Sequence, residues 1–271
     1  MNEEVLASRE AVSRRRALAL GGSIGLGGML AAFGMNSVEA ATPNPTSVDA
    51  QIKALLKGSG TCTTTPELTQ GPYWFDVDSI RSDIRDGRPG MPLVLAFKVL
   101  DITGCTTAGQ GTPIPNSVVE IWHCDAGGAY SGFESGQAGR PGNGSGTMSS
   151  GSYSKGDQEA SPTDDGTYLR GAQVANADGI VKFTTLHPGW YPGRTVHIHL
   201  KVHLNKKSVL TSQVFFNEKV NSAVYATTPY KSRTGRATFN SGDSIFKKSG
   251  VVSSAKLNSG YLGAINLGVD V

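Results

Sequence analysis

Short runs of alternating or continuous apolar positions recur along the chain from residue 93 onward, and each predicts a strand. Leu93–Leu100 (LVLAFKVL) is apolar enough to be buried on one or both faces. Val118–Trp122, Tyr168–Val174, Val181–Thr185, His197–Val202 and Leu210–Phe216 follow, and Tyr261–Leu267 is one more apolar run. Turn signals such as Pro89-Gly90-Met91-Pro92 and Ala177-Asp178-Gly179 separate them. Only Val48–Leu56 has clear helical spacing, with Ser47 as its N-cap. Short strands at this spacing, with Gly/Pro/Asn turns between them, argue an all-β sandwich or barrel. Residues 134–163 are Gly/Ser-rich and read as a long surface loop, and the tail from 221 is mixed and Ser/Gly-rich.

The strand Val196-His197-Ile198-His199-Leu200-Lys201-Val202 changes the picture from architecture to chemistry. Period-two alternation sends Ile198, Leu200 and Val202 to the core and puts His197 and His199 together on the other face, roughly 6–7 Å apart along the chain. Two such imidazoles can share one metal ion. His203 has the same parity but lies roughly 13 Å further on, too far to join them. The preceding Pro-Gly-Trp-Tyr-Pro-Gly-Arg loop can fold Tyr191 over the imidazoles, and Arg194 beside it favours negative charge.

Composition limits the partners. Of 271 residues, 25 are Lys or Arg and 22 Asp or Glu, for a net charge of +3. That is too mild, and too scattered, to imply nucleic acid. The basic run Ser13-Arg14-Arg15-Arg16, the apolar, Gly-rich stretch Ala17–Met35 and the small-residue site Val38-Glu39-Ala40 read as a twin-arginine export signal over 1–40. Residues 41–61 are then a linker and short helix, and 62–271 the folded domain. No second apolar span appears, so the mature form is expected outside the cell and not in a membrane. For an exported chain with Cys62, Cys105 and Cys124, one internal disulfide is expected. Spacing alone does not fix the pair. We expect Cys105–Cys124, closing a hairpin-like unit around the Pro113–Ile121 strand region.

Several separate motifs occur in one order: Gln70-Gly71-Pro72-Tyr73; Val119 to Ser131 (VEIWHCDAGGAYS); Tyr168-Leu169-Arg170-Gly171; Asp178-Gly179; Pro188 to Arg194 (PGWYPGR); His197-Ile198-His199; and Gln213-Val214-Phe215-Phe216. Together they resemble the intradiol ring-cleavage dioxygenases, in particular an exported bacterial branch, over about residues 62–220. The resemblance implies an antiparallel β-sandwich with a short N-terminal helix and long loops. It implies Fe(III) held by Tyr130, Tyr191, His197 and His199, with Arg194 and Gln213 beside the substrate, and Tyr73 near the pocket mouth. Tyr191 is the candidate to leave the metal and take a proton. The substrate class is a catechol, cleaved by O2 between its hydroxyl-bearing carbons to a muconate-type diacid. The chain lacks the long helical N-terminal dimerisation region of the cytosolic members, so its oligomeric state stays open.

The donor set suits that metal. Two phenolates and two neutral imidazoles favour a hard trivalent ion, whereas zinc sites favour Cys or His with a carboxylate. Two other readings compete: a secreted β-sandwich that binds a partner without chemistry, and a copper or zinc protein built on the same His-x-His strand. The first expects lost ligands; the second expects further His or Asp near the pair.

Overall fold

The computed structural model describes residues 47–57, 62–105, 111–134 and 160–271. The 1–40 segment, expected from its sequence to be an export signal, and most of the 134–163 loop lie outside the described residues. In chain order the elements are α1 (Val48–Lys57), β1 (Pro92–Asp101), β2 (Thr112–Pro113), β3 (Val118–Trp122), β4 (Arg170–Val174), β5 (Ile180–Leu186), β6 (His197–Leu204), β7 (Lys207–Phe215), α2 (Glu218–Tyr225), β8 (Ser253–Leu257) and β9 (Gly260–Val269).

The strands form two sheets. One has the order β4-β3-β6-β7, antiparallel throughout. In the other, β5 and short β2 share one edge of β1, β9 lies along its other edge, and β8 closes the far side. Among the named strands the expectation of an antiparallel sandwich holds except for one pair: β1 and β9 run parallel, from Leu93 beside Tyr261 to Asp101 beside Val269.

Alternation explains the core. Leu93, Leu95, Phe97 and Val99 of β1 face Val119 and Ile121 of β3 and Ile198, Leu200 and Val202 of β6 in one apolar layer between the sheets. Residues of opposite parity point outward. Ala96, Leu262 and Ala264 are covered by Ile52 and Leu56 of α1. Trp122, His199 and Gln213 lie side by side across β3, β6 and β7 on the outer face of the other sheet. The segment 65–73 crosses that face, tied down by Leu68 N–H to Thr211 O (2.9 Å) and Ser212 Oγ to Pro66 O (2.7 Å). Polar residues of the outer face are therefore buried.

The disulfide is a correction. Cys62 bonds to Cys105, and Cys124 is a free, buried thiol. The hairpin meant to bring Cys105 to Cys124 does not exist, because β2 pairs with β1 in one sheet while β3 belongs to the other. Cys124 instead packs among Tyr130, Tyr191 and Trp122.

Candidate metal centre

Three pieces of chain bring four lone-pair donors together. β6 supplies His197 and His199, whose Nε2 atoms stand 3.0 Å apart. The loop after β3 supplies Tyr130: Asp125 N–H bonds Ala129 O at 2.8 Å, and Asp125 Oδ1 accepts Ala129 N–H at 2.9 Å. This tight turn projects the next residue inward. The loop after β5 supplies Tyr191, and the two loops are tied where Gly189 N–H reaches Asp125 O at 2.9 Å. A Cβ at Gly189 would sit 2.5 Å from the Asp125 and Ala126 carbonyl oxygens, so only glycine permits this approach. Tyr191 Oη lies 2.9 Å from His197 Nε2, Tyr130 Oη 3.4 Å from the same nitrogen, and the two phenol oxygens are 3.3 Å apart. All four residues are buried.

His197 Nδ1 lies 2.6 Å from Thr195 O, which requires the proton on Nδ1 and leaves Nε2 a bare acceptor. His199 is held by packing instead: its ring stacks on Trp122, centroids 5.1 Å apart and planes within 8°. From the other side Gly71 approaches so closely that a Cβ there would lie 3.1 Å from His199 Cε1, and its φ of +69° also favours glycine. The Gln-Gly-Pro-Tyr motif thus owes its glycine to this imidazole. His199 Nδ1 is buried without a hydrogen-bond partner among the described residues.

Burial drives both phenols well above their ordinary pKa and both imidazoles well below theirs, so the metal-free groups are neutral. The Arg194 charge opposes burial at both phenols. Four buried N and O donor atoms thus meet, joined in the metal-free protein by shared protons, where a cation would replace those protons and turn the phenols into phenolates. The residues fit a hard metal ion. Among the described residues there is no metal-binding group of three or more His, Cys, Asp or Glu, so the neighbours of the imidazoles are the phenols and not further His or Asp.

Arg194 and Gln213 lie beside this centre, joined by a short hydrogen bond of 2.5 Å from Arg194 Nη2 to Gln213 Oε1. Gln213 Nε2 donates to Thr69 O at 2.7 Å, and Arg194 Nε to Asp243 Oδ2 at 2.9 Å. Tyr73 packs against Tyr130 with ring centroids 4.8 Å apart. Sequence reasoning missed Asp243 in the tail and the role of Arg170. Buried Arg170 donates through Nε and Nη2 to Ser131 Oγ and O, both at 2.8 Å, and so fixes the residue following Tyr130. Its guanidinium stacks on Phe75 at 4.2 Å, and burial lowers its pKa to about 10, leaving it cationic at neutral pH. The Tyr-Leu-Arg-Gly motif was the signal for it.

His123 and His187 are buried apart from this set. His123 bonds Cys124 O (2.8 Å) and Thr185 Oγ1 (2.7 Å), and His187 bonds Pro188 O (3.1 Å). His203, beyond a bulge in β6, bonds Glu120 at 3.3 Å.

A family model described as "Dioxygenase" matches residues 64–226, more than half of the chain. The solved structure of an intradiol ring-cleavage dioxygenase from Tetranychus urticae is 31% identical, with a TM-score of 0.64 over 77% of this chain and 95% of that one. The chain belongs to the intradiol ring-cleavage dioxygenase family. Curated relatives include the protocatechuate 3,4-dioxygenase beta chain of Burkholderia cepacia, 27% identical over 52% of each chain. Catechol 1,2-dioxygenase 1 of Acinetobacter lwoffii is 26% identical, over 69% of this chain and 56% of its own. The chain thus spans about half the length of the curated relatives it matches.

Proposed function

We propose that this protein is an Fe(III) dioxygenase that cleaves catechols between their two hydroxyl-bearing carbons, giving muconate-type diacids. The observation that carries the reading is the convergence of Tyr130 Oη, Tyr191 Oη, His197 Nε2 and His199 Nε2, each within 3.4 Å of another. These four residues would hold the ion. Ferric iron bound there would make a catecholate ring reactive toward O2 without an external reductant.

The chain's own side chains do the rest. Tyr191, on a loop and not a strand, is the phenolate placed to accept a catechol proton at Oη. Arg194 supplies preorganised positive charge for the ring as negative charge develops on it. Gln213 links Arg194 to the 65–73 segment and so sets the guanidinium edge that faces the substrate. Tyr73 packs against Tyr130 and so borders the site. The buried surroundings exclude water and strengthen each of these interactions.

The reading extends to export through the twin-arginine signal and to catechols outside the cell, such as plant-derived aromatics. The Cys62–Cys105 disulfide supports an oxidising compartment. The test combines colour and turnover. Tyrosinate on ferric iron gives a visible charge-transfer band, and the red-brown protein should consume O2 with at least one member of a panel of substituted catechols. A colourless iron-replete protein refutes the centre. For export, N-terminal sequencing of protein recovered outside the cytoplasm should begin near Ala41; recovery only inside, with the signal intact, would refute it.

A further inference from the structure

Asp243 lies in the tail, beyond the residues 64–226 that match the family model, yet it reaches the site. Its side chain is 1% exposed. Oδ2 accepts Arg194 Nε–H at 2.9 Å and Thr195 N–H at 2.8 Å, and Oδ1 accepts Ile245 N–H at 2.8 Å. Asn240, from the same tail, takes Thr195 Oγ–H at 2.6 Å and is itself anchored to Phe216 O and Glu218 Oε1. The Thr195 carbonyl is the one that orients His197, at 2.6 Å.

We propose that Asp243 is a positioning residue for the ring-cleavage reaction, holding the Arg194 guanidinium and the Thr195 peptide in a fixed attitude toward the substrate. The inference rests on the reading of the centre given above. An arginine side chain has four rotatable bonds, and a guanidinium free to wander delivers its charge to the wrong place. Here Asp243 fixes the Nε edge and Gln213 fixes Nη2, leaving Nη1 as the edge without a protein partner among the described residues. A carboxylate is required because three N–H groups from two segments converge on it. An asparagine presents one oxygen and one NH2, so either orientation sets a donor against a donor.

The test has two arms. In iron-loaded protein, Asp243→Asn should lower kcat about 10–100-fold with the charge-transfer band retained, as loss of an outer-shell partner does elsewhere. In an Arg194→Ala background the same change should cost several-fold less than in the wild type, the remainder coming from the Thr195 peptide, because most of the effect passes through Arg194. Independent, additive losses would overturn the proposal. In metal-free protein, the Arg194 Nε–H signal, assigned with Arg194→Lys, should exchange slowly with solvent. Asp243→Asn should speed that exchange by about tenfold or more; unchanged exchange overturns the proposal whatever the activity. Should Asp243→Asn fail to fold, Asp243→Glu, which displaces the carboxylate by one methylene, should show the same loss of protection. A wild-type protein that binds iron but cleaves no catechol defeats the ring-cleavage reading, and the exchange arm still decides whether Asp243 holds Arg194.

Discussion

The outer faces of the two sheets are covered in part, and by different means. Outside the β1–β9 pair lie Ala96, Leu262 and Ala264 under Ile52 and Leu56 of α1, a contact of small apolar groups that removes surface from water. Outside the β3–β6–β7 group lie Trp122, His199 and Gln213 under the 65–73 segment. Burying an imidazole or an indole N–H costs free energy unless it is partnered, and Trp122 Nε1 and His199 Nδ1 have no hydrogen-bond partner among the described residues. Both sheets stabilise the molecule through their inner faces, but only the second gives up part of that stability to bury polar groups on its outer face.

Substitutions should separate the two roles. The largest effect belongs to the second sheet and its loops: Tyr130→Phe or His199→Ala should each strip the iron or bring O2 uptake to background. Normal turnover in both would sink the ligand assignment. Next is the first sheet. Phe97, fully buried and edge-on to Phe183 at 6.3 Å, should cost about 3–5 kcal/mol as Phe97→Ala in denaturant titration. Absorbance per iron should stay the same; a lost band would mean the sheets are not separable. Cys62→Ser follows, with a loss of about 2–4 kcal/mol, and reducing agent should produce the same loss in the wild type only.

The smallest effect is a pH dependence. Burial lowers His187 from 6.5 to about 4, so the unfolded chain binds the extra proton first as pH falls. Its contribution is complete above about pH 6.5 and is lost progressively toward pH 4. At pH 5.5 this amounts to about 1 kcal/mol. In metal-free protein the stability gap between wild type and His187→Gln should narrow from pH 7 to 5.5; a constant gap would show that His187 is not held neutral.

Most of the sandwich was legible because period-two alternation is strong where one face meets the core. Val118–Trp122 was read to its boundaries, and Leu93–Leu100 missed β1 by one residue at each end. The β1–β9 pairing was not legible, since nothing local joins strands so far apart in sequence. α2 was missed as well: it is only eight residues long, and its signal is an Asn217 N-cap that accepts from Lys219 N–H. Edge strand β8 (SSAKL) carries almost no apolar signal. The disulfide expectation failed because it assumed a hairpin that the topology does not contain. The four proposed ligands were legible through motif order, and the structure brings them together. Asp243 was not, because no motif marks a tail aspartate as the partner of an arginine 49 positions earlier.

The parallel pairing of β1 with β9 has a consequence for biogenesis. Half of the sandwich cannot close until residues 260–269 have been synthesised, because β9 fills the slot between β1 and β8. Until β9 emerges, one edge of β1 stays unpaired and open to pairing with another chain.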